Sequence, residues 1–160
     1  MNIQELDWIT HTHTDYYDVC KVYDGEMPKY LWGNDFWVNH YYLINSEHRL
    51  RNKELKLSGN FFFYDDELPY PIRLANILSN TKSEIVVIDH EDMILYEKAN
   101  LIEINQAINF LLDKELDSIR FIKNLNATYN PIPKSKVEII DPRSEWIFSI
   151  QPSIWRTESL

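Results

Sequence analysis

Residues Ile88 to Leu95 read IDHEDMIL, so that Asp89, Glu91 and Asp92 follow an apolar run with scarcely a break. Carboxylates crowded at the end of a core strand repel one another, and a divalent cation or a bound hydrogen-bond donor relieves that repulsion. Hard cations such as Mg²⁺ and Mn²⁺ favour an oxygen-only donor set of this kind. The Met-Ile-Leu that follows would hold the acidic turn against the core. A second polar group stands near the start, where Asp7 to Asp18 read DWITHTHTDYYD and His11 and His13 are one residue apart. Residues spaced by two on a strand point to the same side. The pair can therefore share one metal ion, or simply mark where a strand gives way to a binding loop. The plain alternative for the acids is a solvated turn.

These residues need elements to position them. Residues Leu6 to Thr10 read as a first strand, and Asp15 to Tyr30 as a helix with Tyr16, Val19, Val22, Tyr23, Met27 and Tyr30 at helical spacing, capped by Thr14 or Asp15. VNHYYLIN is a second strand, followed by the basic connection SEHRLRNKELK and the aromatic run NFFFYDD. In LPYPIRLANILSN, Pro71 suits a first helical turn, and Ile72, Leu74, Ala75, Ile77 and Leu78 form an apolar face. SEIVVID is the clearest central strand. NLIEINQAINFLLDKE then gives an amphipathic helix through Leu101, Ile104, Ala107, Ile108, Leu111 and Leu112. DSIRFIKNL is another strand, a Pro-containing loop leads to KVEIID, and SEWIFSIQPSIW reads as a strand entering a turn at Pro152. Strands alternating with helices of this length predict an α/β domain with a largely parallel sheet flanked by helices. Open sheets of that kind bind ligands at the carboxyl ends of their strands, which is where THTHTD and IDHED fall.

Composition narrows the function classes. A chain of 160 residues, 44% hydrophobic, suffices for one domain with a real core, but not for a (β/α)₈ barrel of ~250 residues. The three glycines and the absence of G-x-G-x-x-G and GK[ST] argue against a Gly-rich phosphate cradle. A net charge of −9, with Lys and Arg scattered, argues against nucleic-acid or anionic-membrane partners. Cys20 is the only cysteine, no apolar run approaches the ~18 residues needed to span a bilayer, and the N-terminus does not read as an export signal. A cytoplasmic protein without a membrane span is expected.

Taken together, IVVIDHEDMIL after the YPIRLANIL helix, then a helix, a strand and IFSIQPSIWRTESL, resembles the GT-A-type glycosyltransferase family, particularly small viral and bacterial polysaccharide-associated members. In that family a D-x-D or E-D-D-like turn ends a central strand, and a downstream strand leads to a Q-P-x-x-W segment. The opening WITHTHTDYYDVCKVYDGEMPKYLWG also resembles the start of such domains. The resemblance implies a Rossmann-like GT-A domain over residues 1–160 that uses a nucleotide-sugar donor and a glycan acceptor. It gives Asp89, Glu91 and Asp92 to Mn²⁺ or Mg²⁺, with Asp92 the favoured ligand and Glu91 its companion. Thr10, His11 and Thr12 fall where base and ribose approach, and Gln151 and Trp155 border the sugar or acceptor. His90 departs from the small or acidic middle residue of the family turn, which leaves the acidic alignment open by one position. Relatives continue past Trp155 through another acidic segment. Glu158 is then the nearby candidate for the base of an inverting enzyme, and a missing C-terminal segment is expected.

Two other classes compete. THTHTD also resembles the first motif of PHP-type metal-dependent phosphoesterases, in which an H-x-H pair, here His11 and His13, starts a metal cluster. That reading needs further ligands, whereas His40 falls inside a strand, His48 in the basic connection and His90 in the acidic turn. The acidic balance and single cysteine also suit a non-catalytic inhibitor of a basic partner.

Overall fold

IVVIDH is apolar on both faces, as a strand covered by helices on each side must be. In the computed structural model, which describes residues 5–30, 37–45, 57–95, 97–123, 125–133, 137–145 and 151–160, it forms strand β4 (Ile85–His90) in the interior of a six-stranded sheet. The other elements in chain order are β1 (Glu5–His11), α1 (Tyr17–Tyr30), β2 (Trp37–Ile44), β3 (Asn60–Phe63), α2 (Tyr70–Leu78), α3 (Leu101–Asp113), β5 (Ser118–Arg120), β6 (Tyr129–Pro131), β7 (Glu138–Ile140) and β8 (Ser153–Arg156). The sheet order is β3-β2-β1-β4-β8-β5. β1 pairs in parallel with β2 and β4, β2 with β3, and β8 runs antiparallel between β4 and β5. β6 and β7 form a separate antiparallel ribbon.

Alternation along the strands sorts the core into two layers. Leu6, Trp8, Tyr42, Ile85 and Val87 pack with Cys20, Tyr23 and Met27 of α1 and with Ile108 and Leu111 of α3. Ile9, Leu43, Val86 and Ile88 pack on the other face with Leu74, Ile77 and Leu78 of α2. Helices therefore cover both faces, as expected for a mostly parallel α/β sheet.

Several local expectations change. α1 buries Cys20, Tyr23 and Met27, whereas Tyr16 and Val22 are exposed. It is preceded by a 3₁₀ turn over Thr14–Tyr16, whose cap is His13: the ring accepts from Asp15 N at 3.0 Å, so neither Thr14 nor Asp15 is the cap. Ile72 of α2 is also exposed. β5 spans three residues rather than nine, because only Ser118–Arg120 find partners on β8. β6 arises inside the segment read as a loop. A strand begins after Pro152, at Ser153, while residues 146–150 of the expected strand lie outside the described residues, as do the basic connection at 46–56 and His48.

Candidate functional site

The parallel register Thr10↔Asp89 and His11↔His90 brings the two polar tails together at the carboxyl ends of β1 and β4. Consecutive strand residues point to opposite faces, and the site divides accordingly.

Asp89 and Thr10 turn toward α1. Asp89 is buried, its Oδ2 accepts from Tyr23 Oη at 2.6 Å, and its Oδ1 has no partner. Burial pushes its carboxyl up to about 7, against the pull of the Tyr23, Thr10 and Trp8 donors. Thr10 is fully buried, with its hydroxyl on Tyr23 and on His40 Nε2.

His11 and His90 turn toward α2. The His11 ring stacks on Tyr64 at 5.2 Å between centroids and meets Tyr70 and His90 at 5.0 Å each. Arg73 lies over the Tyr64 ring at 4.6 Å, with its Nε donating to Leu68 O and its Nη2 to Asp66 O. Burial, reinforced by His90, Arg73 and His13, lowers His11 to about 3, and burial also lowers His90. Both rings are thus neutral at pH 7, and the Nε2 atom of each is buried without a partner. A neutral imidazole offers a ligand one donor and one acceptor nitrogen.

Past the strand end the chain turns, closed by Met93 N on His90 O at 3.0 Å. Glu91 is buried and Asp92 exposed. Burial raises the Glu91 carboxyl; its own backbone N–H opposes this, the neighbouring Asp92 charge adds to it, and the Thr12 hydroxyl opposes it again. Glu91 Oε2 has no partner. Thr12 N donates to Leu43 O and Thr12 O accepts from Tyr64 Oη, which pins this loop to β2 and β3.

The remaining expected site residues separate by position. Gln151, whose Oε1 is buried and unpaired, sits two residues before Ser153, the partner of Ile88, and so belongs to the same end of the sheet. Trp155 pairs with Val86 in mid-strand, its indole N–H on Ser153 Oγ at 2.7 Å. Glu158 does not join the cluster. Its neighbour Thr157 donates from N to Glu84 O and from Oγ1 to Ser83 O, at the opposite end of β4, and Glu158 itself is exposed and paired with Arg156. At ~3.3 Å per strand residue that is roughly 15 Å from Asp89. The placement leaves no geometric basis for Glu158 as a base at the acidic turn.

His11 and His13 do not converge either. The His13 ring lies on Asp15 N and beside Asn45 Nδ2 at 2.8 Å, and Asn45 in turn donates to Asp66. Among the described residues, no group of three or more His, Cys, Asp or Glu side chains is arranged to hold a metal ion. The His11 and His13 rings thus engage different neighbours, His11 the Tyr64, Tyr70 and His90 rings and His13 Asp15 and Asn45. Tyr23, Asn45, Tyr64, Tyr70 and Arg73 were not singled out from sequence, although the tails of β2 and β3 obey the same strand-end rule that pointed to β1 and β4. A cavity of about 400 Å³ lined by Arg120, Phe121, Lys123, Tyr129 and Glu138 lies along β5–β7, and the acidic turn does not line it.

No protein-family model matches the chain, and no curated protein does. Solved structures do match, over nearly the whole chain. A mannosyltransferase from Pyrobaculum calidifontis in complex with GDP-Man and Mn²⁺ superposes with a TM-score of 0.57 and 13% identity, over 96% of this chain and 44% of its own. CMP:2-keto-3-deoxy-manno-octonic acid synthetase complexed with CTP gives 0.53 and 7%, over 97% and 75%. The 4-diphosphocytidyl-2C-methyl-D-erythritol synthase of Anaerococcus prevotii gives 0.52 and 13%, over 97% and 71%. The chain has the GT-A-like fold of nucleotide-diphospho-sugar transferases. The mostly parallel sheet with helices on both faces agrees with the family resemblance read from IVVIDHEDMIL. The chain spans less than half the length of the mannosyltransferase it matches. No helix among the described residues is long and apolar enough to cross a membrane.

Proposed function

We propose that this chain binds a nucleoside-diphosphate sugar across the carboxyl ends of β1 and β4 and transfers the sugar to a glycan acceptor, with Mn²⁺ or Mg²⁺ held by Glu91 and Asp92. The observation that carries this reading is the buried Glu91 carboxylate, with Oε2 unpaired, beside the exposed Asp92 at the end of an interior strand. A buried acceptor without a partner is costly, and a cation relieves it. Two adjacent carboxylates fit Mg²⁺ or Mn²⁺, because such ions are often bound by one or two carboxylates with substrate phosphates and water completing the shell. Asp89 is already engaged by Tyr23 beneath the sheet, so it supports the turn from below rather than serving as a ligand.

Glu91 and Asp92 would hold the cation, which when bound would supply charge stabilisation to a departing diphosphate. The chain's own residues bind and orient the donor. The unpaired Nε2 atoms of His11 and His90, both on neutral rings, offer hydrogen bonds to the nucleotide, and Gln151 Oε1 offers an acceptor at the same end. Thr12 acts through its backbone, holding the loop on β2 and β3.

Nucleotidyl transfer is the second reading, since two of the structural neighbours are synthetases of cytidine-linked products. The β1–α1 connection THTHTD contains no glycine, so in either reading the phosphates rely on the cation and side chains rather than on a Gly-rich backbone cradle. Calorimetric titration with UDP, GDP and CTP, each with and without Mn²⁺, tests the choice. Metal-dependent binding of a diphosphate supports sugar transfer, and preferential binding of CTP contradicts it.

A further inference from the structure

Tyr23 stands directly beneath the acidic turn. Its hydroxyl lies 2.6 Å from Asp89 Oδ2, 2.9 Å from Thr10 Oγ1 and 3.2 Å from Trp8 Nε1, and Thr10 Oγ1 lies 2.9 Å from His40 Nε2. All five side chains are buried. With Asp89 ionised, hydrogen counting leaves one arrangement. The indole N–H can only donate and the carboxylate can only accept, so the single Tyr23 proton goes to Asp89, and the Tyr23 oxygen accepts from Trp8 and Thr10. The Thr10 proton is then committed, and its oxygen accepts from a proton on His40 Nε2. The chain of donors therefore runs from β2 through β1 and α1 to β4, with both acceptor sites of the Tyr23 oxygen filled.

We propose that Tyr23 is the positioning residue of the acidic turn: by holding Asp89 through this chain, it fixes the end of β4 so that Glu91 and Asp92 present their carboxylates to one cation. The inference rests on the metal-assisted reading of Glu91 and Asp92 above. Asp89 Oδ1 has no partner and Tyr23 makes the short 2.6 Å bond to Oδ2, so among the nearby donors the Tyr23 hydroxyl is the main restraint on this carboxylate. Two residues later the chain reaches Glu91, with no glycine or proline between to uncouple them. Partners bonded directly to a metal's ligands commonly change metal affinity 10- to 100-fold when removed; Tyr23 bonds Asp89, which is not itself a ligand, so its loss is expected at the lower end of that range.

The test is the affinity of the full chain for Mn²⁺ in the presence of UDP or GDP, read from the electron paramagnetic resonance signal of free Mn²⁺. Tyr23→Phe keeps the ring and loses the hydroxyl. Thr10→Val keeps the shape and cuts the chain one step earlier, and Thr10→Ser restores the hydroxyl. We expect Tyr23→Phe and Thr10→Val to weaken Mn²⁺ binding about tenfold or more, with Thr10→Ser close to the unmodified protein. Wild-type Mn²⁺ affinity in Tyr23→Phe, with only its melting temperature lowered, shows a purely structural role and overturns the proposal. If Tyr23→Phe fails to fold, the Thr10→Val and Thr10→Ser pair decides on the same criterion. An unmodified chain that binds no Mn²⁺ with either nucleotide overturns the reading of Glu91 and Asp92, and this inference with it. Binding by the unmodified chain that the variants leave unchanged overturns the inference alone.

Discussion

His11 carries the clearest electrostatic signature at the strand ends. Its ring is wedged between Tyr64, Tyr70 and His90, and burial lowers it from 6.5 to about 3. An unfolded chain binds this proton near pH 6.5 while the folded chain refuses it, so the His11 contribution to stability falls as pH drops from about 6.5 toward 3. Asp89 works in the opposite sense: raised from 3.8 to about 7, it takes up its proton more readily when folded and gains stability over the same acid range. A single-variant difference separates the two. His11→Phe retains an aromatic ring and does not titrate. In urea melts at pH 7 and pH 5, the unmodified protein should lose up to about 2 kcal/mol more than His11→Phe on acidification. Equal losses would show that the His11 ring is not held neutral. The H-x-H spacing marked His11 as a residue to watch, but not its companion. His90 pairs with His11 across the sheet, because cross-strand register is set by long-range pairing that local spacing does not encode. For the same reason Tyr23, 66 residues from Asp89 in sequence, read only as helix packing.

At the scale of elements, sequence patterning was most informative where period and length agreed. α2 and α3 begin near their expected positions, with Pro71 in the first turn of α2 and the Asn100 side chain capping α3 through Glu103 N. The end of the chain was harder to read. Pro152 has no N–H to give a ladder, and it lies just outside β8, where its carbonyl accepts from Phe121 N. β8 nevertheless carries much of the sheet's closure: Ile154 is fully buried in the layer containing Val87, Ile108 and Leu111. Ile154→Ala should cost about 2–5 kcal/mol in a denaturant melt, through lost burial and the cavity it leaves. Ile139→Ala, on the half-exposed β7 edge, should stay within about 0.5 kcal/mol. Similar costs for the two would contradict the placement of β8 between β4 and β5.

The whole molecule joins a fold legible from alternating strands and helices to a site that only the folded sheet assembles. The mostly parallel sheet and the interior position of β4 could be read from sequence. The antiparallel insertion of β8 and the division of the site between the two faces could not, since both depend on which strands become neighbours. The net charge of −9 makes the diphosphate reading depend on local compensation by a cation. The most direct test is therefore thermal: melting the full chain with UDP and GDP, each with and without Mn²⁺. Ligand at about 100 times its dissociation constant stabilises by about 2.7 kcal/mol, which for a chain of this size is a rise on the order of 5–10 °C. The rise should require both metal and nucleotide, vanish in Asp92→Ala and largely survive in His13→Ala. No shift with either nucleotide, or an undiminished shift in Asp92→Ala, would contradict the role assigned to the acidic turn.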